Sequence, residues 1–244
     1  MEVAVLADVH GNAVALRYVL EDLKKKGICK IVILGDIVMK GPMPAEALEL
    51  LKDDYFEILA WVKGNTELWL EEITPDWEPQ TKRERELFLY YKYATEYLSQ
   101  EQLHFLEQLP QREMFLLEER PVLCVHGTPK SIMEAFDESV SKEKIMEAVA
   151  DVEEDIILGA HSHTTYFGKA KDKIIFNPGS IGNSLEEDKK ITYGILKSEQ
   201  GQISVSHIRL DYPVEEIIAV GIKNHFPLME AYKKLITKSE CNPT

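Results

Sequence analysis

Seven residues of this chain have side chains suited to a metal centre, and they fall in five short pieces. Asp8-Val9-His10, Gly35-Asp36, Gly64-Asn65, Val125-His126-Gly127 and His161-Ser162-His163 each follow a short apolar run of strand type. Asp8 and His10 are spaced i, i+2, which puts both on the same side of a strand, and His161 and His163 have the same spacing. Carboxylates, imidazoles and an amide oxygen make a mixed nitrogen and oxygen shell, which suits Mn, Fe or Zn better than Mg or Ca. A carboxylate shared between two ions commonly holds them about 3.5–4 Å apart, the spacing of two-metal hydrolytic sites. Taken singly, each piece is weak. Gly-Asp at a strand end often marks just a turn, and His161-Ser162-His163 suits a surface turn as well as a ligand pair. Their joint occurrence at one kind of strand end makes the case. Four of the seven histidines belong to the set, whereas His104 on an amphipathic helical stretch and His207 on a C-terminal strand read as structural.

The elements that must position these residues can be read along the chain. Val3 to Ala7 is a strand-like run, 8–12 a turn, and Ala13 to Lys26 a helix with apolar spacing through Val14, Leu16, Val19, Leu20 and Leu23, ended by Gly27. Ile31 to Leu34 predicts a second strand, Pro44 to Leu51 a helix and Phe56 to Val62 a third strand. In open α/β sheets ligands bind at the carboxyl ends of strands, which is where the polar residues stand. Glu67 to Leu109 changes character: its amphipathic spacing predicts two or three helices interrupted near Pro75 and Pro79. Trp69, Trp77, Phe88, Tyr90, Tyr91 and Tyr97 there read as a packed seam rather than a base-stacking platform. Strands return at Met114 to Leu117, Val122 to Val125 and Ile156 to Leu158, with a helix at Lys142 to Ala150. Tyr166 to Ala170, Lys173 to Phe176, Ile191 to Leu196 and Ile203 to Ile208 predict a hairpin-rich sheet. Short helices at Val214 to Gly221 and Leu228 to Thr237 finish the chain. With no repeat, low-complexity tract or linker, the simplest partition is a single domain over 1–244 with a helical insertion at about 67–109.

Composition narrows the function classes. The chain has 244 residues, long enough for a substantial core, with 42 acidic against 28 basic residues and a formal net charge of −14. Such a charge repels a polyanion, so a nucleic-acid partner is disfavoured, while bound cations would still admit a small phosphorylated substrate. The first residues lack the basic and long apolar stretches of a signal peptide, and no apolar run reaches the ~20 residues of a membrane span. Cys29, Cys124 and Cys241 are scattered, without Cys-x-x-Cys spacing, and read as reduced structural thiols in a cytoplasmic protein.

The order Asp8-Val9-His10, Gly35-Asp36-Ile37-Val38, Gly64-Asn65, Val125-His126-Gly127, Gly159-Ala160-His161-Ser162-His163 resembles the calcineurin-like metallophosphoesterase superfamily over nearly the whole chain. Gly41-Pro42 and Asn177-Pro178-Gly179-Ser180 are similar to its small bacterial and archaeal phosphodiesterase branch, which includes diadenosine tetraphosphate hydrolase-like enzymes. The resemblance implies a four-layered α/β/β/α sandwich and two divalent metal ions, Mn²⁺ and/or Fe²⁺/Fe³⁺, Zn²⁺ being an alternative. It implies one ion on Asp8, His10, Asp36 and His163 and the other on Asp36, Asn65, His126 and His161, with Asp36 bridging. Asp36, Asn65 and His126 then count as catalytic, because a hydroxide between the ions would attack phosphorus in line.

One departure bears on the substrate. The third motif of the family is usually Gly-Asn-His followed by an acid, and here it is Gly64-Asn65-Thr66-Glu67. A threonine cannot protonate a leaving group near neutral pH. An alkoxide needs a proton, its conjugate acid having a pKa near that of water at roughly 15.7. A leaving phosphate, with a second pKa of roughly 6, does not. The expected substrate is therefore a small phosphorylated nucleotide with a good leaving group, a dinucleoside polyphosphate first. His225 is the candidate for a substitute acid, and Thr66, Ser180 and Lys40 are candidate substrate contacts. Phosphodiesterase action on cyclic nucleotides or aryl esters is the alternative, and a protein-binding scaffold the non-enzymatic one. A protein phosphatase and a nuclease fit less well, for want of a docking surface and of positive charge respectively.

Overall fold

Alternation along single strands builds the layers. In the computed structural model, which describes residues 1–237, strand β1 (Glu2–Leu6) turns Ala4 and Leu6 toward helices and Val3 and Val5 toward a second sheet. Strand β5 (Arg120–Val125) does the same in the other sheet: Val122 and Cys124 meet Val3 and Val5, while Leu123 and Val125 meet a helix. Two sheets thus bury a common apolar layer, and each covers its outer face with helices. This is the four-layered α/β/β/α arrangement.

The first sheet has the order β10-β9-β1-β2-β3, formed by β2 (Lys30–Ile33), β3 (Glu57–Trp61), β9 (Ile191–Glu199) and β10 (Gln202–Leu210) around β1. Pairing is parallel across β1, β2 and β3, and antiparallel from β1 to β9 and from β9 to β10. The second sheet has the order β4-β5-β6-β8-β7, built from β4 (Arg112–Leu117), β5, β6 (Ile156–Leu158), β8 (Lys173–Pro178) and β7 (Thr165–Ala170). Its three inner strands β5, β6 and β8 are parallel. The carboxyl ends of β1, β2 and β3 lie in one sheet and those of β5 and β6 in the other, so the five polar pieces issue from corresponding edges.

Helix α1 (Ala13–Lys26) has clear local causes. Asn12 caps its start by accepting the Ala15 amide at 3.0 Å. Gly27 ends it in the left-handed conformation at φ 70°, and Lys24, Lys25 and Lys26 complement the dipole of the last turn. Leu16, Val19, Leu20 and Leu23 pack it on the first sheet beside α2 (Pro44–Leu50). Helix α6 (Lys142–Ala148) covers the second sheet through Ile145 and Ala148.

Between β3 and β4 the chain forms three helices, α3 (Asn65–Glu72), α4 (Lys82–Tyr97) and α5 (Gln100–Glu107), the last two opened by capping boxes at Thr81 and Ser99. Their aromatics do form a seam: Trp77 meets Phe88 edge-on at 5.7 Å, and Phe88 stacks on Tyr91 at 5.9 Å. Tyr90 and Tyr93 pack on Phe226, which follows α7 (Val214–Lys223), and α8 (Met229–Ile236) adds Tyr232 to that cluster. No helix among the described residues is long and apolar enough to cross a membrane. Cys124 is buried between the sheets, but Cys29 is exposed and does not serve as a small core hydrophobe; Cys241 lies outside the described residues.

Candidate metal centre

Asp8 and His10 do not project from one face of a strand. β1 stops at Leu6, and both residues adopt left-handed backbone at φ 52° and 47°. Asp36, His161 and His163 do likewise, at φ 55°, 69° and 59°. The i, i+2 expectation is therefore corrected: turn geometry beyond the strand ends aims these side chains. Such backbone is unfavourable for non-glycine residues, by roughly 1–2 kcal/mol each. Neighbouring loops hold it in place. His10 N donates to Asp36 O at 2.9 Å, Asp8 N to Gly35 O at 3.1 Å, and Ala160 N to His126 O at 2.6 Å. The loops touch so closely that a Cβ at Gly41 would collide with the His10 carbonyl.

All seven side chains converge in two groups that meet at Asp36. In the first, His10 Nε2 lies 3.8 Å from Asp8 Oδ1, 3.5 Å from Asp36 Oδ2 and 3.1 Å from His163 Nε2. Single ligand atoms of Asp8, His10, Asp36 and His163 all fall within 4.8 Å of one another. In the second, His126 Nε2 lies 3.0 Å from Asn65 Oδ1, 3.2 Å from His161 Nδ1 and 3.6 Å from Asp36 Oδ1. Asp8, His10, Asp36, Asn65 and His126 are buried; His161 and His163 stand half-buried at the opening.

The hydrogen-bond pattern shows that these residues fit cations. His10, His163 and His126 each direct Nδ1 at a backbone carbonyl, of Met39 at 3.0 Å, Asn183 at 2.9 Å and Leu34 at 2.7 Å. A carbonyl only accepts, so Nδ1 carries the proton and Nε2 of each neutral ring offers a lone pair inward. His10 and His163 thus face each other acceptor to acceptor, and His126 faces the Asn65 oxygen in the same way. Both Asp8 carboxylate oxygens and Asp36 Oδ2 are buried without a hydrogen-bond partner. Converging lone pairs with no donor among them call for positive charge.

The electrostatics run the same way. Burial and the nearby Lys40 charge push the His10 pKa down to about 3, which keeps its ring neutral. Burial works against the Asp8 carboxylate, yet the His163 imidazole beside it holds its pKa below the ordinary value, and Asp8 in turn raises that of His163 against burial. Burial likewise opposes ionisation of Asp36, and the imidazoles of His126 and His10 beside it, the Lys40 charge and the Thr66 amide together keep its pKa low. His161 is held low by burial and by His126.

Two residues expected at the substrate mouth stand behind the ligands instead. Thr66 is fully buried, and its amide and hydroxyl donate to Asp36 Oδ1 at 2.8 and 2.9 Å. Ser180 is fully buried too; its hydroxyl donates to Asp8 O at 2.9 Å and accepts from Asn183 N at 2.9 Å. Both side chains spend their polar atoms on loop backbone or on a ligand, which leaves none facing solvent. His225 is exposed on the turn after α7 at φ 53°, and no hydrogen bond or ion pair among the described residues joins its side chain to the centre. His207 Nε2 donates to Asn177 O at 2.8 Å and its ring stacks on Phe176, and His104 is exposed on α5 beside Glu107.

Three supports were not among the sequence candidates. The buried Glu67 carboxylate accepts the amides of Asp36 at 2.7 Å, Ile37 at 2.8 Å and Gly64 at 2.8 Å, tying the second piece to the third. Asn177 Nδ2 donates to Ala160 O at 3.0 Å and Ser162 Oγ at 2.9 Å, bracing the His161-His163 turn. Asn183 anchors His163 through its carbonyl. Glu67 and Asn177 had local signals, as the acid directly after Asn65-Thr66 and as the first residue of Asn177-Pro178-Gly179-Ser180; Asn183 had none.

Residues 1–201 match the calcineurin-like phosphoesterase superfamily domain. An uncharacterised protein of Methanocaldococcus jannaschii is 28% identical over 251 aligned positions, covering 92% of this chain and 93% of that protein. Two solved structures share the fold at 23% identity each. A hypothetical protein of Pyrococcus horikoshii superposes with a TM-score of 0.82, covering 98% of this chain and 99% of its own. A metallophosphoesterase of Sphaerobacter thermophilus superposes at 0.76, covering 96% and 98%.

Proposed function

The chain belongs to the calcineurin-like phosphoesterase superfamily and is a metal-dependent phosphoesterase, and from that premise we propose that it hydrolyses phosphoanhydrides, diadenosine tetraphosphate and related nucleoside polyphosphates being the substrate class. The observation that carries this reading is Thr66. It occupies the position where an acid would assist the leaving group, and its hydroxyl is committed to Asp36. A phosphate departs without a proton, as its second pKa of roughly 6 allows, whereas an alkoxide does not.

Asp8, His10, Asp36 and His163 would hold one divalent ion and Asp36, Asn65, His126 and His161 the other, with Mn²⁺ or iron suited to the donor set and Zn²⁺ an alternative. Bound there, the cations would neutralise charge on the phosphoryl oxygens and lower the pKa of an attacking water. The chain's own residues orient this chemistry. Carbonyls of Met39, Leu34 and Asn183 fix three imidazoles in the tautomer that presents Nε2. Thr66 and Glu67 hold Asp36 between the two groups. Lys40 places a cation near His10, Asp36 and His163, where a distal phosphate would meet it. An aryl phosphodiester is the second reading, because an aryl oxide needs an acid less than an alkoxide does; a cyclic nucleotide, which expels a sugar alkoxide, comes after it.

The test is product analysis by chromatography after incubating Mn²⁺-loaded protein with diadenosine tetraphosphate, cyclic nucleotides, an aryl phosphodiester and an alkyl phosphomonoester at matched concentrations. Diadenosine tetraphosphate should be cleaved fastest. An alkyl phosphomonoester cleaved faster would refute the anhydride preference. Fewer than about one Mn²⁺ per chain after loading would remove the two-ion reading altogether.

A further inference from the structure

Among the described residues, Trp69 is the one large aromatic that shares a helix face with a ligand of the centre. It follows Asn65 by four residues on α3, so the two side chains rise from the same side of that helix. Its half-buried indole packs against the core on one side, and the Lys40 ammonium lies over its ring, 5.1 Å from the centroid.

Lys40 itself is held from both ends. Met39 O accepts from His10 Nδ1, and Gly41 lies directly against the His10 carbonyl. Between these anchors Lys40 adopts left-handed backbone at φ 71°. Its ammonium makes no hydrogen bond or ion pair with any carboxylate among the described residues, although the chain carries 42 acidic residues. The charge is felt instead at His10, Asp36 and His163. A lysine near the centre, set over an indole face rather than against a carboxylate, leaves its ammonium available to an incoming anion.

We propose that Trp69 is a positioning residue for substrate: its indole parks Lys40 at the edge of the centre, and a phosphate beyond the scissile one draws the ammonium off the ring. This gives α3, the first helix between β3 and β4 along the chain, a role in selecting polyphosphates over shorter esters. The substrate part rests on the anhydride reading above, whereas the Trp69–Lys40 coupling stands on the geometry alone.

Two measurements test it. With Mn²⁺ in excess, tripolyphosphate should change the tryptophan emission of the wild-type protein, and Trp69→Phe and Lys40→Ala should each abolish the change. In steady-state kinetics on diadenosine tetraphosphate, Trp69→Leu should raise KM about 3- to 10-fold with a smaller effect on kcat, and Trp69→Phe should recover part of the loss, since a phenyl ring binds a cation more weakly than indole. Diadenosine diphosphate should show a smaller KM change. The proposal is overturned if the emission change is absent from wild type or persists in Trp69→Phe. An unchanged KM in Trp69→Leu overturns it as well. If wild type cleaves neither dinucleotide, the anhydride reading fails and the emission arm still decides the coupling.

Discussion

Thr66 donates twice to a single oxygen of Asp36, from its amide at 2.8 Å and its hydroxyl at 2.9 Å, while the other Asp36 oxygen is buried with no partner. One carboxylate is therefore divided between two tasks. Oδ1 fixes its orientation, and Oδ2 remains free among His10, Asp8 and His163.

Removing the hydroxyl alone should weaken this hold. Thr66→Val keeps the amide donor and the side-chain volume but deprives a buried carboxylate of one hydrogen bond. Hydrogen bonds to charged groups contribute roughly 1.5–3 kcal/mol. Denaturant unfolding of the metal-free variant should show a loss of about 2 kcal/mol. A loss under about 0.5 kcal/mol would show that the hydroxyl contributes nothing there.

Metal loading should stabilise the fold, because Asp8 and Asp36 bury oxygens that lack partners. At a free Mn²⁺ concentration about 100 times Kd the gain is about 2.7 kcal/mol, which for a chain of this size raises Tm by about 5–10 °C. Asp8→Asn removes one of the two carboxylates of the first group and should abolish most of that shift. An equal Mn²⁺ shift in the variant, read by calorimetry, would place the ion elsewhere.

Gly41→Ala should disturb the centre from outside it. The added Cβ collides with the His10 carbonyl, and neither backbone can retreat without moving Met39, which anchors the His10 ring. The expected cost is about 3 kcal/mol of stability, with a weaker Mn²⁺ affinity measured by titration. Wild-type stability and affinity would show that the two loops are not in contact.

Acid should expose a contact far from the centre. Burial pushes the Asp22 pKa up, but hydrogen bonds from Lys26 and from Tyr193 (the latter at 2.6 Å) together with the charges of Lys26 and Lys25 prevail and set it below its ordinary value. A depressed folded pKa means that its stabilisation is complete above the unfolded value of about 3.9 and is lost as pH falls through the folded one. Between pH 5 and pH 3 the Tm of Asp22→Asn should therefore fall less than that of wild type. Parallel Tm curves would remove Asp22 from the acid response.

The five polar pieces, the bounds of α1 and the alternation of strands and helices were legible from residue types, because apolar periodicity, an Asn cap and a terminal glycine are local signals. Thr66 was legible as the absence of an acid, but not as a donor to Asp36. Its hydroxyl has no sequence mark that distinguishes a substrate contact from a buried brace. Ser180 failed in the same way. Both partners lie far along the chain: Asp36 is thirty residues from Thr66, and Asp8 is 172 from Ser180.

What the sequence by itself determined is the inventory: seven ligand-type side chains, each placed at a strand end, in a chain patterned for layered sheets and helices. The tertiary structure decided how they meet. Asp8, His10, Asp36, His161 and His163 reach the centre on left-handed backbone that their own residue types disfavour. Backbone hydrogen bonds between loops from both sheets, together with Thr66, Glu67, Asn177, Ser180 and Asn183, hold them there. Periodicity along one strand carries no information about such turns, since the interactions that stabilise them come from the other loops.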